Sequence, residues 1–60
     1  MSIIYSGYCV LNDKGKILHQ GATDEPLGLI KVVRDREYPD GILAKWVQGI
    51  GTPTITEVIK

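Results

Sequence analysis

The chain has 60 residues, in which seven lysines and arginines balance seven aspartates and glutamates, with one histidine and one cysteine. That length fits one small domain spanning 1–60, since a chain so short buries only about 60% of its unfolded surface. The even charge lacks the basic excess that supports phosphate-backbone binding. A lone Cys9 excludes an internal disulfide and favours a reducing cytosol, and one Cys with one His cannot complete a four-ligand zinc site.

No apolar run approaches the roughly 20 residues needed to cross a bilayer. Met1-Ser2-Ile3-Ile4-Tyr5 has no basic region ahead of its apolar residues, so a secretory leader is not expected. The reading is a cytoplasmic protein without membrane association.

In chain order, residues 3–11 predict a first strand, rich in aromatic and β-branched side chains, with Gly7 as a bend. Asp13-Lys14-Gly15 fits a type I corner with Gly15 left-handed, the grammar of a three-residue hairpin loop. Its register sets Asn12 against Lys16, Val10 against Leu18, Cys9 against His19 and Tyr8 against Gln20. Thr23 to Gly28 is a polar link.

Residues 28–36 then read as a third strand, because Ile30, Val32 and Val33 are β-branched and Gly28 suits a helix poorly. A helix over 25–37 is the alternative, capped at Thr23 or Asp24, with Pro26 in its first turn and Leu27, Ile30 and Val33 spaced along one side. Tyr38-Pro39-Asp40-Gly41 has the residues of a tight turn, with Gly41 in the left-handed position. As a hairpin tip it sets Asp35 against Lys45, Arg34 against Trp46 and Val33 against Val47. A helix over 41–49 competes for the second arm, through the stripe Leu43, Trp46, Val47 and Ile50. After the Gly49-Ile50-Gly51-Thr52-Pro53 connection, Thr54–Ile59 alternates as a closing strand.

The sum is a mainly β fold, a five-stranded antiparallel meander or small barrel, with an α+β fold carrying a helix at 25–37 or 41–49 as the alternative. The strand count and loop pattern resemble SH3-like barrels in architecture. The acidic-aromatic loop and paired tryptophans of that family are missing, so the resemblance implies no peptide groove.

Cys9 and His19 are the one pair that suggests a nucleophile with its base, but no orienting carboxylate accompanies them. Asp35, Glu37 and Asp40 lack the spacing of a calcium loop, and no glycine-rich phosphate loop occurs. No catalytic residue, metal or cofactor is therefore expected. In the second-hairpin register Arg34, Arg36, Tyr38, Ile42 and Trp46 share one face, and such an aromatic–arginine patch has the composition of an interaction hot spot. The expectation is a non-catalytic protein-interaction module, a regulator or inhibitor of a larger cytosolic protein. A small-barrel nucleic-acid binder is the alternative, with bases stacked on Trp46 and Tyr38. Exposed strand edges also favour self-association into a homo-oligomer.

Overall fold

Five elements follow one another: β1 (Tyr5–Leu11), β2 (Ile17–Gln20), α1 (Leu27–Glu37), β3 (Ile42–Gln48) and β4 (Thr54–Val58). The computed structural model describes residues 5–49 and 51–59. Ile3 and Ile4, expected to begin the first strand, and Ile50 of the expected helix stripe lie outside the described residues.

The first turn forms as its residues require. Gly15 takes φ +83°, its N–H donates to the Asn12 carbonyl, and the Asn12 N–H donates to the Lys16 carbonyl. Asn12 Oδ1 accepts from the N–H groups of Lys14 and Lys16 at 2.9 and 2.8 Å. This side chain stands in for a backbone acceptor and holds the corner.

Beyond it the register departs from expectation. Leu11 faces Ile17, but Val10 then faces His19 and Cys9 faces Gln20, with a break between Val10 and Leu11. Leu18 is the extra residue of a bulge. Each expected pair above it therefore shifts by one, and Cys9 and His19 lie on opposite faces of the sheet.

The larger correction concerns residues 27–37, which form a helix rather than a third strand. Topology gives the reason. The strand order is β2-β1-β3-β4, and β2 and β3 both pair antiparallel with β1, so they run parallel to each other on either side of it. Parallel strands cannot be joined by a tight hairpin, and their connection crosses over the sheet, most often as a helix. Pro26 opens α1 in an extended conformation, and its carbonyl accepts from Leu29 and Ile30. Arg34 and Arg36 occupy the last turn, where cations favour the negative end of the helix dipole. The Tyr38 N–H closes that turn on the Arg34 carbonyl at 2.9 Å.

With α1 in place, the expected pairings of Asp35 with Lys45, Arg34 with Trp46 and Val33 with Val47 do not form. Residues 42–48 are extended, so the 41–49 helix alternative also falls: Leu43 and Trp46 face opposite sides of the sheet. Among the described residues the sheet has four strands and stays open, with β2 and β4 as its edges. The five-stranded meander and SH3-like barrel are thereby replaced by an α+β fold.

Two apolar clusters hold the layers together. On the helix side Ile30 packs on Val10 and Leu43, bordered by Tyr8, Tyr38 and Ile59; burying one such side chain is worth about 1.5–3 kcal/mol. On the other side Cys9, Leu11, Ala44 and Trp46 form a second cluster flanked by Ile17 and Ile55.

Gly41 has a different job from the one expected. Its φ is not positive. A Cβ there would instead collide with Val10 Cγ1 and sit 2.9 Å from the Tyr38 carbonyl. Glycine is required because the turn passes directly over the core.

Candidate interaction surfaces

Side-chain alternation gives the two sheet faces different chemistry. The helix-side face carries charged residues, with Lys45 opposite Glu57 in the strand register. The other face is built from Tyr5, Gly7, Cys9 and Leu11 on β1 and their partners Gln48, Trp46, Ala44 and Ile42 on β3. The outer strands add Ile17 and Gln20 from β2 and Ile55 and Val58 from β4. None of these residues is charged. Among the described elements α1 is the only helix, and it packs on the opposite side.

Trp46 fills the middle of this uncharged face. Its indole lies over Gly7, close enough that a Cβ there would meet Cζ2 and Nε1 at 2.9 Å. Nε1 donates to the Gly21 carbonyl at 3.2 Å, beyond the end of β2. The indole thus crosses β1, and only 4% of its surface remains exposed. The rim is open: Tyr5 is 48% exposed, Ile42 36% and Val58 51%.

An open groove of about 390 Å³ lies at one end of the sheet. Asn12 and Asp13 of the first turn and Leu18 of the bulge form one wall, and Tyr38-Pro39-Asp40-Gly41 forms the other. The Tyr38 hydroxyl donates to the Leu18 carbonyl at 3.4 Å, linking the two walls.

The five residues expected to form an aromatic–arginine patch are not brought together. Arg34 lies on α1, where Nε pairs with Asp35 Oδ1 at 2.7 Å and Nη1 donates to the Gly41 carbonyl at 3.5 Å. Arg36 is exposed in the same last turn. Tyr38 lines the groove and borders the helix-side core. Ile42 is on the rim of the uncharged face, and Trp46 is buried beneath that face, across the sheet from both arginines. Sequence reasoning missed Asn12, Asp13 and Leu18 as groove residues. It also missed the lack of charge at alternate positions of β1 and β3, a signal that the correct pairing makes visible.

The Cys9–His19 pair does not assemble. The Cys9 thiol donates to the Ala44 carbonyl at 3.6 Å, and burial raises its pKa above the ordinary thiol value. It stays a protonated core residue at neutral pH, the opposite of an activated nucleophile. His19 Nε2 is buried on the helix side without a hydrogen-bond partner among the described residues.

Among the described residues no group of three or more His, Cys, Asp or Glu side chains is placed to hold a metal ion. No described helix is long and apolar enough to cross a membrane. No protein-family model matches the chain, and the searches of curated proteins and of solved structures gave no match.

Proposed function

We propose that this chain is a non-catalytic protein-interaction module that docks a larger cytosolic protein, as a regulator or inhibitor, through the uncharged face of its sheet. The observation that carries the reading is the absence of charge from every described position on that face, combined with exposed Tyr5, Ile42 and Val58 at its rim. Interface cores are depleted in charge and enriched in aromatic residues. The partner this chemistry fits offers a flat apolar patch without a buried charge, since an unpaired charge on this face would lose its hydration.

Edge pairing is the weaker route. Leu18 on β2 and Thr56 on β4 each sit at a register break, and bulges in edge strands discourage the addition of another strand. The nucleic-acid alternative has no supporting observation: Trp46 is buried and lies across the sheet from Arg34 and Arg36.

Affinity capture from cytosolic extract tests the proposal when paired variants are compared. Val58→Lys and Ile42→Lys are expected to lose the captured protein. Val32→Lys, on the exposed side of α1, is expected to retain it. Equal retention by all three variants would overturn the assignment of the face.

A further inference from the structure

The groove between the two turns carries a separate recognition chemistry, and its assignment rests on the reading of the chain as an interaction module. Its lining combines apolar surface from Leu18, Tyr38 and Pro39 with two carboxylates, Asp13 and Asp40. Among the described residues the one ion pair is Arg34–Asp35, so neither groove carboxylate is neutralised by a bridge. Arg34 reaches the Gly41 carbonyl of the groove wall and is paired with Asp35. Lys14 is exposed at the tip of the first turn and does not line the groove. The volume, about 390 Å³, is at the small end of the range for specific ligand sites, about 300–1,000 Å³.

We propose that this groove takes a basic side chain, arginine or lysine, from an extended segment of a partner protein. Asp13 and Asp40 receive the charge, and the aliphatic stem lies along Leu18 and Tyr38. Long basic side chains suit such a site because they lay an apolar stem on apolar surface while the charged head stays wet. The Tyr38 ring adds a face on which a guanidinium stacks. An anionic ligand is disfavoured, because the lining offers carboxylates and no basic side chain. The two walls are tied by the Tyr38–Leu18 hydrogen bond, which fixes their spacing before a partner arrives.

The test is a two-dimensional ¹H–¹⁵N NMR titration of the whole chain with acetyl-Leu-Arg-Leu-amide. The norleucine and glutamate analogues of that peptide serve as comparisons. The expected result is amide shifts confined to Asn12–Lys14, Leu18 and residues 38–41, absent with the glutamate peptide and weaker with norleucine. The Asp13→Asn/Asp40→Asn double variant, changed only at exposed side chains, is expected to keep the native spectrum elsewhere. It should bind the arginine peptide about tenfold more weakly, and added salt should weaken wild-type binding as well. Shifts of equal size with the glutamate peptide, shifts located elsewhere, or no shift at saturating peptide would each overturn the proposal. A silent titration beside successful capture through the uncharged face would remove the groove assignment alone.

Discussion

Gly7→Ala probes the packing at the centre of the sheet. Its Cβ would stand 2.9 Å from Cζ2 and Nε1 and 3.0 Å from Cε2 of Trp46, whereas carbon atoms pack at about 3.5–4.0 Å. The obstacle is a rigid ring rather than the end of a flexible chain, so the whole indole must rise. Rising carries Nε1 away from the Gly21 carbonyl, now 3.2 Å distant. Overpacking of this kind costs about 1–3 kcal/mol, and the lost hydrogen bond adds about 1 kcal/mol. Alanine restricts the unfolded chain and returns about 0.4–1 kcal/mol, which leaves a net loss of about 1–3.5 kcal/mol. A domain of this length has a total stability of roughly 3–9 kcal/mol, so the loss is a large share. Urea unfolding followed by Trp46 fluorescence reads it directly, as a fall in midpoint with an unchanged slope. Unchanged or increased stability, the usual result of replacing glycine within a strand, would refute the placement of the indole.

Two other glycines should behave in opposite ways under the same assay. Gly41→Ala drives a methyl against Val10, which is fully buried, and is expected to cost about 1–3 kcal/mol. Gly28→Ala, on the exposed start of α1 with nothing within 4 Å, should stabilise by about 0.5–1 kcal/mol. Asn12→Ala removes the acceptor for two backbone N–H groups and should cost about 1 kcal/mol. For Cys9 the folded-state pKa is raised by burial, so the folded chain holds its thiol proton at pH values where the unfolded chain has lost it. Stability from this group is complete below the ordinary thiol pKa and declines as pH rises toward the raised value. Thiol alkylation of the native protein should accordingly run far slower than in urea, and equal rates would contradict the burial of Cys9.

Local chemistry was legible in the sequence wherever it was self-contained. Asn12 and Gly15 specify the first turn through their own side chain and backbone, and Gly15 takes the left-handed position expected of it. Residues 28–36 mislead because the deciding influence is distant. Ile30, Val32 and Val33 prefer strands as individuals, yet the segment must cross from an edge strand to an inner one, and tertiary demand overrides propensity. Pro-Asp-Gly after α1 is a turn, but a turn also joins a helix to a strand, so its residues could not fix what preceded it. The expected patch failed for the same reason. Arg34, Arg36 and Trp46 meet only if residues 29–37 are extended. The uncharged face became readable once β1 was paired with β3, because alternate positions then add up to a single surface.

Cross-peaks from the Trp46 indole N–H in a NOESY spectrum test the account most directly. The structure predicts contacts to the Hα protons of Gly21 and Gly7, together with cross-strand contacts between Cys9 and Ala44. Contacts from that indole to Arg34, with residues 29–37 pairing against 42–47, would restore the hairpin register and contradict the arrangement on which both proposed surfaces depend.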